Sequence, residues 1–281
     1  MGNLDKRLNL YRPDLADVAL RGRIEAARFV EGHPMQVGRT VASVRRQPSA
    51  TSMQLSEALP GETLQVFDEA EGWAWVKLDR DGYVGHVEAA RLTPLSATAR
   101  HEVAVPSTLL YPKADLKTQP ATFLPMLARV AVTDEEKDYA AVAANGFVFS
   151  KHLRPVGSGG GTGDFVSVAE RFLHTPYYWG GKTVHGLDCS GLVQVSLHAV
   201  GVDCPRDSDM QQATLGVSLP QGEKPRRGDL VFWDGHVGIM ADRETLLHAN
   251  GFDMMVVLEP LAAAVARSEA KGKPVTSVKR L

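Results

Sequence analysis

Asp188-Cys189-Ser190-Gly191 sets a thiol where a helix is expected to begin. Unpaired backbone N–H groups and the helix dipole at such a position favour thiolate, the nucleophilic form of cysteine. The neighbouring Asp188 acts in the opposite sense, so the position alone does not decide. A nucleophilic sulfur also needs a base to take its proton and a third group to orient that base. Among nine histidines, His236 and His248 stand in consecutive apolar stretches suited to neighbouring strands. If Gly238 pairs antiparallel with Leu246, His236 lies directly opposite His248, with three or five connecting residues around 241–243. A slip of one residue sends the two rings to opposite faces. In the first register His236 takes the Cys189 proton, and His248 holds its other ring nitrogen in the required tautomer.

Other readings of the same residues stay open on spacing alone. A lone cysteine opening an amphipathic helix is most often a small buried hydrophobe, and a histidine in a half-exposed strand is more often structural. Zinc on Cys189, Cys204, His236 and His248 would lack any C-x-x-C or H-x-x-x-H spacing, so no metal is expected.

The elements that must carry these residues lie in the last part of the chain, which has an α+β pattern. Asp164 reads as an N-cap for a helix burying Phe165, Val168, Ala169, Phe172 and Leu173, with Pro176 ending it. A second helix is expected from Cys189 to about Val200, with Gly201 at its C-terminal end. Asp229-Leu-Val-Phe-Trp, His236-Val-Gly-Ile-Met and Thr245-Leu-Leu-His-Ala then read as three strands. Asp234-Gly235 supplies a hairpin turn between the first two.

Residues 157–163 hold five glycines and read as a linker. Before it, short alternating segments separated by Pro60-Gly61, Glu71-Gly72 and Asp81-Gly82 predict a small antiparallel barrel, including one strand through Gln36-Val-Gly-Arg-Thr-Val-Ala-Ser-Val. Asp81-Gly-Tyr-Val-Gly-His-Val aligns with Asn145-Gly-Phe-Val-Phe-Ser, which predicts a second barrel in tandem. The expected organisation is an arm at 1–36, barrels at 37–96 and 97–156, the linker at 157–163, and a third domain at 164–281.

With 281 residues, 44% apolar and 23% charged, the chain has ordinary globular composition for two or three domains. A net charge of −2 argues against a dedicated nucleic-acid binder. No apolar run approaches the ~18 residues of a membrane helix, and no greasy stretch follows Met1, so a soluble cytoplasmic protein is expected. Two cysteines make no disulfide framework.

Pro176-Tyr177-Tyr178-Trp179-Gly180-Gly181 and Gly186-Leu187-Asp188-Cys189-Ser190-Gly191-Leu192-Val193-Gln194 resemble the signature of NlpC-type cysteine peptidases. Pro205-Arg206-Asp207-Ser208 with Gln211, Gly228-Asp229-Leu230-Val231-Phe232, His236-Val237-Gly238-Ile239 and His248-Ala249 follow in order. Six ordered motifs are far more specific than any single one. The two β repeats resemble the bacterial SH3-like barrels that often precede this domain.

The resemblance implies a papain-like α+β fold and no cofactor. It also implies hydrolysis of the bond between γ-linked D-glutamate and a diamino acid, such as diaminopimelate, in murein peptides. The nucleophile falls on Cys189, the base on His236, the third polar residue on His248, and a group near the oxyanion on Tyr177. Members with two SH3-like domains act on tripeptides or tetrapeptides with a free N-terminal L-Ala, as in cell-wall recycling. There Asp188, Ser190 and Ser208 are expected to bind the ammonium end, and Tyr83 and Glu62 match first-barrel positions that close over the site. A barrel-core role for Tyr83 weighs equally. The rival readings are a hydrolase of intact peptidoglycan and an inert peptide-binding module.

Overall fold

The computed structural model describes residues 4–95, 98–143, 146–159, 163–220 and 222–281. The chain forms two compact units, Met1–Val156 and Gly157–Leu281. Asn145 and linker residues 160–162, used in the repeat and linker readings, lie outside the described residues. The whole is mostly sheet with few helices, in keeping with an α+β class. No described helix is long and apolar enough to cross a membrane.

In the first unit, a seven-stranded sheet uses segments between His33 and Pro94. The strand expected to run unbroken through Gly38 is split into His33–Val37 and Ala42–Arg45. Its first half pairs with Thr63–Ala70 and Leu92–Pro94, and its second with Gln54–Ala58 and His86. The chain therefore changes partners at Gly38, whose N–H bonds to the Arg91 carbonyl. The arm is not loose: Leu10 and Leu15 are buried with Trp75 and Val84, and Arg12 stacks its guanidinium over the Trp75 ring.

The described residues between 101 and 155 form three small sheets around a core of Val103, Leu110, Leu124, Val130, Val142 and Val148. The aligned stretches of the two repeats have the same course. Val84–Glu88 passes through a 3-10 turn to Leu92–Pro94, and Gly146–Phe149 through another to Leu153–Pro155. Gly61, at a φ of 74°, shows why the Pro60-Gly61 turn needs glycine, since a Cβ would sit 2.1 Å from the Arg129 carbonyl oxygen.

Among the described residues of the second unit, four helices accompany a six-stranded sheet. They are α1 (Phe165–Glu170), α2 (Cys189–Ala199), α3 (Ser208–Thr214) and α4 (Leu261–Glu269). The strands are β1 (Val217–Ser218), β2 (Leu230–Trp233), β3 (His236–Met240), β4 (Thr245–Asn250), β5 (Met255–Pro260) and β6 (Val275–Arg280). Their order across the sheet is β1-β6-β2-β3-β4-β5. Helix α1 begins at the Asp164 cap, whose carboxylate accepts the Val166 N–H at 3.0 Å. It is shorter than expected, because the chain turns before Leu173 and His174 adopts a φ of 68°. Helix α2 matches its predicted span, with Val200 at its C-cap and Gly201 left-handed at 77°. It is buried along nearly its whole length and packs on β3 and β4.

Candidate active site

Helix α2 starts where it does because Asp188 caps it, accepting the Gly191 N–H at 2.7 Å. The same carboxylate takes the Gly180 N–H at 2.8 Å on its other oxygen. Two glycines allow this approach: a Cβ at Gly191 would lie 2.3 Å from the Gly181 carbonyl oxygen, and one at Gly181 equally close to that of Gly186. The glycines of both motifs thus press the Gly180-Gly181 turn against the first turn of α2. Cys189, the first helical residue, is held there with 6% of its surface exposed.

Arg206, 1% exposed, closes this corner. Its Nη2 reaches Asp188 Oδ2 at 2.7 Å, while Nη1 reaches Asp188 Oδ1 at 3.0 Å and Ser190 Oγ at 2.9 Å. Such a fork is the strongest carboxylate pairing a side chain offers. Both Asp188 oxygens are already bonded by backbone and guanidinium donors, so the carboxylate anchors the nucleophile's turn. Gln211 adds bonds from its side-chain amide to the Ser190 and Pro205 carbonyls at 3.0 and 2.9 Å. Ser208 is the half-buried first residue of α3.

On the sheet, Asp234-Gly235 forms the two-residue turn between β2 and β3, with Trp233 opposite His236. The next hairpin departs from the expected register. Ile239 pairs with Leu247 and Met240 with Leu246, a slide of two residues that brings His236 diagonal to His248 rather than directly opposite. A two-residue slide keeps both rings on one face. The connection has four residues, between Met240 and Thr245, because Asp242 accepts the Glu244 and Thr245 N–H groups at 2.8 Å each and tightens the turn. His236 Nε2 meets His248 Nδ1 at 2.8 Å.

The thiol belongs to the same cluster. The Val237 backbone N–H points at the Cys189 sulfur, which places it beside the residue that follows His236. His236 has its Nε2 engaged by His248, and Nδ1 is its other ring nitrogen. Burial, reinforced by Asp188, pushes the Cys189 thiol up to about 12. Burial, then repulsion from His248 and Arg267, pushes His236 down to about 3. The resting pair is therefore neutral thiol and neutral imidazole: desolvation, with Asp188, outweighs the pull of the helix start toward thiolate. Burial, with the Cys189 and Asp188 charges, also raises the Tyr177 phenol, which stays protonated as a donor close to the sulfur. Tyr177 is fixed from behind by its N–H bond to the Met254 carbonyl at 2.8 Å.

Glu259 and Arg267 extend the cluster without any motif to announce them. Glu259, on β5, sits 2.8 Å from His248 Nε2 and forms a two-point ion pair with Arg267 of α4. Its sequence signal is parity: an acidic residue two positions from Val257, which pairs with His248, must share the histidine's face.

Tyr83 and Glu62 belong to the first unit. Tyr83 is 2% exposed in that unit's core. Glu62 accepts the Leu59 N–H at 2.7 Å and pairs with Arg80 at 2.9 Å.

Residues 174–270 match the NlpC/P60 family and residues 44–92 the bacterial dipeptidyl-peptidase Sh3 domain. The gamma-D-glutamyl-L-lysine dipeptidyl-peptidase of Bacillus subtilis is 29% identical over 211 residues, covering 71% of each chain. A protein of the same name from Bacillus cereus is 25% identical over 238 residues, 73% of this chain and 70% of its own. The crystal structure of an NlpC/P60 family protein from Bacillus cereus has a TM-score of 0.75, covering 88% of this chain and 99% of that one. At 19% identity it speaks for the fold alone. The chain thus carries an NlpC/P60 cysteine-peptidase domain behind a bacterial dipeptidyl-peptidase SH3 domain.

Proposed function

We propose that this protein hydrolyses the bond between γ-linked D-glutamate and a diamino acid in short murein peptides with a free N-terminal L-Ala. Its role is then cell-wall peptide recycling in the cytoplasm. The observation that carries the reading is the 2.8 Å bond between His236 and His248 on the face beside the Cys189 sulfur. The dipeptidyl-peptidase names of the relatives support it too, since such an activity counts two residues from a free amino end.

The chemistry follows from the residues. As the sulfur attacks the glutamyl carbonyl carbon, its proton passes to Nδ1 of His236, and the Val237 N–H stabilises the charge developing on sulfur. The carbonyl oxygen becomes an oxyanion beside the Tyr177 hydroxyl and the backbone N–H groups that open α2. The imidazolium returns its proton to the departing amine, leaving a thioester. Water, deprotonated by His236, then attacks the thioester and releases the dipeptide, and the freed sulfur takes the proton back from the imidazolium.

A peptide panel tests the reading. L-Ala-γ-D-Glu-diaminopimelate and L-Ala-γ-D-Glu-L-Lys, each with a free and an acetylated N-terminus, are offered to the purified protein. Release of free diamino acid from the unacetylated forms is expected, and no release from any of them sinks the proposal. Equal cleavage of the acetylated forms favours intact peptidoglycan as substrate.

A further inference from the structure

We propose that Glu259 is a positioning residue of this site, fixing the proton of His248 on Nε2 and so leaving Nδ1 of His236 free to accept the Cys189 proton. The inference rests on the peptidase reading given above for what the proton is used for, but the proton's location stands by itself.

Two side chains compete for His248 Nε2. Glu259 Oε1 lies 2.8 Å away and can only accept. Asn250 Nδ2 lies 2.9 Å away and can only donate. The Asn250 amide cannot turn round to remove the conflict. Its oxygen takes the Phe252 and Asp253 N–H groups at 2.9 and 2.7 Å, and its nitrogen also reaches the Asp253 carboxylate at 2.9 Å. One neighbour thus asks for a proton on Nε2 and the other for a lone pair.

The charge on Glu259 decides the contest. Its carboxyl is lowered by Arg267, with His248 helping, so that Glu259 is a carboxylate at neutral pH. An N–H bonded to an ionised acceptor is about twice as strong as a neutral pair. His248 therefore carries its proton on Nε2, and its Nδ1 accepts from His236 Nε2. Of the two nitrogens without a proton, His248 Nδ1 is taken up by that bond, which leaves Nδ1 of His236 with the lone pair the attack requires. Were Asn250 to win, each ring would hold the opposite tautomer, and His236 would present an N–H to a thiol that needs a base.

Glu259→Gln is the test, being isosteric. Arg267 would bind the new amide's oxygen and turn its NH2 toward Nε2, adding a second donor there. Nitrogen-15 NMR of histidine-labelled protein reads which ring nitrogen carries each proton. The expected result is Nε2–H on His248 in the native protein, Nδ1–H in the variant, and a kcat lower by ~10²-fold, the low end of what a general base supplies, with KM little changed. Arg267→Met keeps the carboxylate, and the native proton pattern is expected to persist in it; its thermal melt also shows whether disturbing this corner unfolds the domain. A native His248 protonated on Nδ1, or a Gln variant with the native pattern and full kcat, overturns the proposal. If the native protein cleaves no γ-D-glutamyl peptide, the function proposed above fails, while the proton pattern still judges Glu259.

Discussion

Desolvation sets the resting state of the sulfur. With the Cys189 thiol pushed up to about 12 and His236 pushed down to about 3, the free enzyme holds both groups neutral near pH 7. The rate of iodoacetamide alkylation at Cys189, mapped by peptide mass, is therefore expected to climb steadily with pH above 7. A plateau already reached at pH 5 would mean a preformed ion pair. The buried imidazoles also link folding to pH. His236 and His248 both titrate lower in the folded chain than in the unfolded one, where a histidine takes its proton near pH ~6.5. Between that value and about 3 the unfolded state binds the extra protons, so stability falls as pH falls through this window. A melting temperature that drops less from pH 7 to 4 in His236→Gln than in the native protein is the expected sign, and an unchanged slope would contradict it. Of these residues, Cys189, His236 and His248 were legible because chemistry restricts their types and spacing. Glu259 was not, since any half-buried strand carries an occasional acid, and its meaning exists only once β4 and β5 are paired.

At the scale of elements, the start of α2 is an electrostatic construction as much as a helical one. Asp188 caps the helix, holds the Gly180 turn and is itself held by a buried arginine. Removing one partner of such a pair strands the other's charge, at a cost of about 3–5 kcal/mol. Asp188→Ala is expected to lose stability on that scale in urea denaturation, along with thiol reactivity; a loss below about 1 kcal/mol, that of an exposed pair, would refute the buried fork. The sequence showed Asp188 and Arg206 as separate motifs, eighteen positions apart, and nothing local says they meet. The β3–β4 register teaches a related lesson. Period-two alternation puts the two histidines on one face only in registers of one parity, so their meeting was an expectation conditional on register. How far the strands slide is set by the turn, here by Asp242, and a two-residue slide leaves the alternation unchanged.

For the whole molecule, each unit has apolar packing of its own. Val231, Trp233, Met240, Leu246 and Ala264 are buried in the second unit, and Val103, Leu110 and Val148 among others in the first. Residues 157–281 expressed alone are accordingly expected to melt in one cooperative transition, followed by circular dichroism, and a gradual loss of signal would deny the unit its independence. The glycine punctuation and alternating segments made the β-rich first half readable. The switch of partners at Gly38 was not, because either half of that stretch fits a strand equally well and long-range pairing decides. The most direct test of the whole account is release of free diamino acid from L-Ala-γ-D-Glu-diaminopimelate and from its L-Lys counterpart by the native protein, Cys189→Ala and His236→Gln. Release by the native protein and its loss in both variants, by ~10²-fold or more for the histidine, is the expected result. Undiminished release by a chain without the Cys189 sulfur, or none by the native protein, would contradict it.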